Sequence, residues 1–353
     1  MFPRTSFKWI SFLLFGGFSM SSMRWVVGFV FVALVIPSLG AQEKSTIKWK
    51  FEKEKTFYQK VVTKTVQKMK VSGTDINQEQ NQTFYFSWTP VKQDGDNWEL
   101  KQKIEGVILN IDIGGTKVQH DSTKESASTT PLSDFFKALV GTEFLVTINT
   151  KDMKVTKIAG REEFVKKLIN SNPQMQPLLD KILSEKTMVE MAEPTFGAIP
   201  NIEVTKGDKE KGTWKRTTSL DMGPIGKYDN AYTYTYEGQD EKKMDKISVK
   251  ADLVYTKPVS SNAGGLPFKI DAANIKTSSS NGLIFFDAAK GRIDRSSMSL
   301  KITGDLTVDI GGQKTKIDLE QTQDTFVETM DVNPISIKSS TVPTPVPVPT
   351  PKP

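Results

Sequence analysis

The feature that most constrains this chain is a period of two. From Thr46 to about Val332 apolar side chains recur at every second position in run after run. Ile47, Trp49 and Phe51 alternate with lysines, and Phe84, Phe86 and Trp88 alternate with Tyr85 and Ser87. Successive side chains of a strand point to opposite faces, so such runs bury one face and wet the other. The linkers between runs are short. Asp94-Gly95 turns the chain into Trp98, Leu100 and Ile104, and Gly114-Gly115 turns Val107–Ile113 into Thr116–His120. Lys151-Asp152 joins Phe144, Val146 and Ile148 to Met153, Val155 and Ile158, and further runs lie at 232–236, 247–255, 283–286, 300–310 and 316–322. Short connections between period-two runs predict an antiparallel meander.

Helical spacing occurs only near 131–140, where Leu132, Phe135, Phe136 and Leu139 share a side, and over 161–191, with Phe164, Leu168, Ile169, Met175, Leu178, Leu179, Ile182 and Leu183. Too few helices separate the strands for a doubly wound fold. The chain therefore reads as mainly β (α+β): a curved antiparallel sheet or incomplete barrel over residues 41–335, with its short helical insertion against one face. Two smaller sheets divided near Gly197–Gly212 are the alternative, because Pro194, Pro200 and the charged stretch Lys206–Lys211 resemble a linker. Asp112-Ile113-Gly114-Gly115-Thr116-Lys117 is echoed by Asp309-Ile310-Gly311-Gly312-Gln313-Lys314, as two hairpin turns of one chemistry or as halves of a duplication.

The first forty residues stand apart. They hold 24 apolar residues and include two tandem apolar runs, Trp9–Phe18 and Trp25–Ile36, each shorter than the roughly 20 residues of a membrane-spanning helix. Arg24, the run 25–36, Pro37 and the small residues around Gly40 and Ala41 form a signal peptide with its cleavage point, and Met23 is a candidate initiator. The competing reading is an uncleaved anchor. Cleavage implies an exported protein, periplasmic or extracellular, with no stable membrane span after processing. Residues 336–353 form a proline-rich tail, an extended spacer with no core of its own.

Much chemistry is closed to the chain. It has no cysteine, which removes disulfides, thiol catalysis and cysteine-bound metals, and a single histidine, His120, which removes histidine metal sites. His120, Asp121 and Ser122 carry the residue types of a hydrolytic triad, but neighbours in an extended chain face opposite ways; His120 reads as a surface residue at a strand end. The net charge of +6 falls to +3 without the leader and is of mixed sign along the chain, so no nucleic-acid stripe forms. Asp94-Gly95-Asp96-Asn97 lacks the later ligands of a calcium loop, and Gly114-Gly115-Thr116-Lys117 lacks the spacing and the helix of a phosphate loop. No metal or cofactor is implied. A carboxylate-dependent hydrolase is the remaining enzymatic reading, with no carboxylate pair singled out.

Two aromatic strips remain as candidate ligand-binding surfaces. Tyr232, Tyr234 and Tyr236 line one strand face over about 13 Å, and Phe84, Phe86 and Trp88 line another. Such strips either fill a core or line an apolar cavity, and three successive hydroxyls sit poorly in a dry core. Met175, Met188 and Met191 add flexible side chains suited to a lid.

A signal peptide, lysine-rich amphipathic strands, the hairpin Asn149-Thr150-Lys151-Asp152-Met153-Lys154-Val155, a central helical piece and the run Phe285-Phe286-Asp287-Ala288-Ala289-Lys290-Gly291-Arg292-Ile293 together resemble a family of secreted bacterial β-rich proteins of unknown function. The last run is also similar, at the level of fold, to carriers of the lipoprotein-localisation type. That likeness implies a half-barrel curled around a helix that holds acyl chains, and it transfers no functional residue. The expected function is a non-enzymatic envelope protein that binds a lipid, an acylated partner or another apolar ligand under a curved sheet. The alternative is a structural or interaction module of the envelope with a filled interior, partnered by another envelope protein.

Overall fold

A computed structural model of the chain describes residues 43–124, 136–171, 173, 176–259, 266 and 268–335. The leader with Gly40 and Ala41, part of the helix expected at 131–140, Met175 and the proline-rich tail lie outside the described residues. The period-two runs form long antiparallel strands: β2 (Phe57–Val71), β3 (Thr74–Asp94), β4 (Asn97–Ile113), β5 (Thr116–Asp121), β6 (Glu143–Asn149), β7 (Lys154–Ala159), β9 (Thr213–Asp221), β10 (Lys227–Gln239), β11 (Asp245–Thr256), β12 (Lys269–Asp287), β13 (Arg292–Ile310) and β14 (Gln313–Met330). They make one twelve-stranded sheet in the order β7-β6-β4-β3-β2-β14-β13-β12-β11-β10-β9, with β5 also paired to β4. β1 (Lys44–Ile47) pairs instead with β8 (Ile202–Thr205) in a two-stranded sheet. The pairing of β2 with β14 joins strands from before and after 197–212, so the chain does not divide there into two sheets.

The sheet is open. Its end strands β7 and β9 do not pair with each other, and helix α3 (Glu185–Gly197) packs against both. Two further helices, α1 (Arg161–Ser171) and α2 (Gln176–Ile182), precede it. Ser184 caps α3, its hydroxyl accepting from the Thr187 N–H at 3.2 Å. The helix runs past residue 191 and through Pro194, which is not a linker residue, and stops at Gly197. Its end is fastened by two tryptophans: Trp49 Nε1 donates to the Phe196 carbonyl at 3.2 Å and Trp214 Nε1 to the Ala198 carbonyl at 3.0 Å. Beyond it, Ile202–Thr205 becomes β8, and the charged stretch Lys206–Lys211 is a turn between β8 and β9.

Glycine turn chemistry closes the hairpins. Gly114 and Gly115, and likewise Gly311 and Gly312, have φ between 56° and 88°, conformations that cost other residues a Cβ clash. In both turns the preceding aspartate accepts from the second glycine: Gly115 N–H to Asp112 at 2.8 Å and Gly312 N–H to Asp309 at 2.7 Å. The sequence echo is thus one hairpin device used twice.

The inner face carries two apolar clusters, one around Trp88, Phe196 and Phe286 and one around Phe268, Val308 and Ile317. His120 belongs to the interior rather than the surface. β5 pairs with β4 so that His120 sits opposite Leu109 on the dry face, 5% exposed, with its ring stacked on Phe136 at 5.8 Å. At the rim, the wholly buried Asp245 accepts hydrogen bonds from Ser45 (2.8 Å), Tyr236 (3.0 Å) and Gln239 (3.3 Å), tying β1 to β10 and β11.

Two outcomes follow from these buried polar groups. Asp245→Ala leaves three donors facing a hole and is expected to cost about 3 kcal/mol, whereas Tyr236→Phe, which removes one donor, costs about 1 kcal/mol; urea unfolding of the two variants gives the ranking. Burial, and after it the Lys137 charge, lower the His120 pKa, with Asp121 opposing. The unfolded chain therefore binds a proton near pH 6.5 that the folded chain refuses. Stability holds above that pH and declines as pH falls through it towards the lowered native value. Urea midpoints between pH 7.5 and 5 should slope downward for the native protein and flatten in His120→Phe; parallel slopes would refute the assignment.

Candidate functional site

Strands β3 and β10 are six steps apart in the sheet, roughly 29 Å if it were flat. Yet Phe84, Phe86 and Trp88 of β3 and Tyr232 and Tyr234 of β10 line one cavity of about 360 Å³. Only a strongly curled sheet brings them together. The two aromatic strips seen in the sequence thus converge, with one exception. Tyr236 does not reach the cavity: it is 1% exposed and its hydroxyl is committed to Asp245, because the strand's end dips to the rim contact with β1.

The aromatic walls hold one another. Phe84 and Phe86 stack at 5.8 Å, Tyr234 lies parallel to Trp214 at 5.5 Å, and Trp88 stands edge-on to Phe196 of α3 at 5.1 Å. The Trp88 indole donates to Gln59 Oε1 at 2.8 Å. Burial pushes the phenol of Tyr234 far above the usual tyrosine range, the neighbouring Tyr232 adding to it, and burial raises Tyr232 as well against a hydrogen bond with Thr218. Both stay protonated and neutral at any physiological pH.

Helix α3 covers the cavity with Met188, Met191 and Ala192, and Pro194, itself exposed, lines the same space and marks its mouth. Across from the helix the wall is made by β13, β14 and β2. Here a β-bulge decides what faces in. Phe286 pairs with Ile293 while Phe285 pairs with Arg295, so Asp294 is the extra residue, and Ile293 and Ser296 both turn inward. Ser296 is 4% exposed, and its Oγ has no hydrogen-bond partner among the described residues.

On the strands beside that of Ser296 the inner face turns polar in register. The rows Gln82–Thr63–Thr325, Gln80–Thr65–Gln323 and Gln78–Gln67–Gln321 run across β3, β2 and β14. Thr63 and Thr325 share a hydrogen bond at 3.0 Å, and Gln67 donates to Gln321 at 2.8 Å. This belt separates the two apolar clusters and lies at one end of the cavity.

Among the described residues no Asp, Glu, Lys, Arg or His lines the cavity. Among the described residues no group of three or more His, Asp or Glu side chains is placed to hold a metal, and no helix is long and apolar enough to cross a membrane. Sequence reading found the aromatic walls and the methionines but missed Ser296, Gln59 and Thr325. Alternation around the glutamines was visible; that they face inward required the register.

Among curated proteins no relative is matched by sequence. Solved structures that align in part include lipovitellin, from a study of its lipid–protein interactions, at 11% identity over 80% of this chain with a TM-score of 0.40. This chain spans about a quarter of that one, 26%. Pseudomonas aeruginosa OpdQ aligns at 8% identity over 78% of this chain and 98% of that chain with a TM-score of 0.22. The translocator domain of the autotransporter NalP from Neisseria meningitidis aligns at 6% over 78% and 89%, with a TM-score of 0.19. Scores this low carry nothing about function. The sequence match is of another order: residues 94–329, two thirds of the chain, fit the profile of DUF6263, a family of unknown function, and the chain belongs to that family.

Proposed function

We propose that this protein is an exported, non-enzymatic binder of an apolar or amphipathic ligand, a lipid or the acyl chain of a partner, held between the curled sheet and α3. The observation that carries this reading is the cavity. Its volume lies in the range of small-molecule sites, about 300–1,000 Å³, and its lining is aromatic and aliphatic with a few uncharged polar groups. A structural module with a filled interior has no use for such a space. The non-enzymatic part of the reading is supported by the lining: among the described residues its titratable groups are Tyr232 and Tyr234, which burial keeps protonated. Met188 and Met191 suit a cover that adapts to ligands of different shape. Export rests on the leader, with Arg24, the run 25–36 and the small residues at Gly40 and Ala41.

Two measurements test the reading. Diphenylhexatriene, a hydrocarbon probe that fluoresces in apolar surroundings, should bind the mature chain. Ala192→Trp, which fills the space under α3, should weaken that binding by about tenfold or more, the effect of losing some 1.4 kcal/mol, while leaving the melting temperature within a few degrees. Equal binding by the two proteins would overturn the site. Mass spectrometry of the protein from its own host should give a mature N-terminus near Ala41; retention of residues 25–36 would overturn export with cleavage.

A further inference from the structure

Resting on the reading above, we propose that the cavity selects an uncharged single-chain amphiphile, whose hydroxyl or ester end hydrogen-bonds to Ser296 while its tail lies against the aromatic strips.

The first observation is electrostatic. With no carboxylate, imidazole, lysine or arginine among the described residues of its lining, the cavity has no cation to neutralise a carboxylate or phosphate, and an unpaired ion brought into such surroundings loses its hydration without compensation. Charged headgroups are therefore rejected or left outside.

The second is the state of Ser296. Buried hydroxyls in native interiors are almost always hydrogen-bonded, and this one, 4% exposed on the cavity wall, is not, among the described residues. Two other polar groups of the lining are committed, Thr325 to Thr63 and Gln59 Oε1 to the Trp88 indole. The bulge at Asp294 is what turns Ser296 inward. Without it a strand of strict period two that buries Ile293 would turn Ser296 outward. A backbone irregularity that places an unpartnered hydroxyl in an apolar space fits a ligand oxygen as the missing partner.

The third is direction. Thr325, which opens the threonine and glutamine rows, lies on the strand beside Ser296, two positions from the Val327 that pairs with it, whereas Tyr232 of β10 and Met188 and Met191 of α3 line other walls. The lining is mainly apolar, and the hydroxyls of Ser296 and Thr325 lie together on one wall of it, which matches a molecule with one polar end and one tail.

The test uses the full mature chain loaded with diphenylhexatriene and displaced by 1-monopalmitoylglycerol or palmitate, equal in chain length, at pH 8 and below the concentrations at which either aggregates. Monopalmitoylglycerol should displace the probe at concentrations at least tenfold lower than palmitate does. Ser296→Ala should weaken monopalmitoylglycerol about five- to tenfold, as expected for one lost hydrogen bond, while leaving probe affinity unchanged, which also shows that the variant is folded. Probe binding with equal displacement by the two lipids, or with no effect of Ser296→Ala, would overturn the selectivity and leave the ligand reading standing. Failure of the probe to bind at all would overturn both. A co-purified phospholipid of net charge seated in the cavity would overturn the assignment of class alone.

Discussion

An antiparallel sheet of twelve strands that does not close on itself has two raw edges and one apolar face to hide, and everything else in this molecule follows from how α3 solves both problems. Unpaired strand edges recruit other chains unless something covers them. Here β7 and β9 come near each other because the sheet curls, and α3 lies against both. The helix is an ordinary amphipathic element, marginal alone, and it is fixed in place by contacts from distant parts of the chain. Trp49, just after β1, and Trp214, on β9, donate to its final carbonyls, and Trp88 from the middle of the sheet stands against Phe196. Three tryptophans from three parts of the sequence therefore converge on the last turn of one helix and on the residue that follows it, which makes closure a global property of the fold and not a local one.

That arrangement also explains why the space is where it is. α3 is held tightly at its ends, by the Ser184 cap and by the tryptophans, and its middle is occupied by methionines that face the hollow of the sheet. A curled sheet narrow enough to be filled by its own side chains would bring the facing walls into contact. This one is wider, and the large side chains of β3 and β10 line it without meeting. The polar belt sets the lower limit of the hollow. Glutamines and threonines that pair across β2 and β14 satisfy one another in part, and they end the apolar surface as a floor would.

What was legible in the sequence is what depends on alternation and turns alone. The strand runs, the glycine hairpins at 114–115 and 311–312, and the aromatic strips at 84–88 and 232–236 are all set by neighbours within a few residues. What was not legible depends on pairing across long separations. His120 reads as a surface residue until β5 is placed beside β4, where its register puts it opposite Leu109. Pro194 reads as a break until the helix is seen to tolerate it near its end. Tyr236 shares its strip with Tyr232 and Tyr234, but the carboxylate that claims its hydroxyl is nine residues away on the next strand. Ser296 is the clearest case. Its side chain faces inward only because Asp294 is an extra residue in β13, and nothing in the run Arg292–Met298 distinguishes a bulge from a strand of irregular polarity.

The size of the cavity sets a further condition on the fold. A sealed apolar void costs roughly 24 cal/mol per Å³, so one of about 360 Å³, kept dry and empty, would cost on the order of 9 kcal/mol. That is comparable to the whole stability of an ordinary domain, about 5–15 kcal/mol. A chain that carries such a space relieves the cost by letting solvent in at the mouth near Pro194, by letting the methionines of α3 settle inward, or by holding a ligand. The first two recover only part of it, since water finds few partners on these walls and α3 is fastened at both ends. Occupancy recovers more. Any ligand that binds the folded chain and not the unfolded one raises stability by RT ln(1 + [L]/Kd). The energetics that make an empty hollow expensive are therefore the same ones that would favour an apolar occupant, as the proposed function requires.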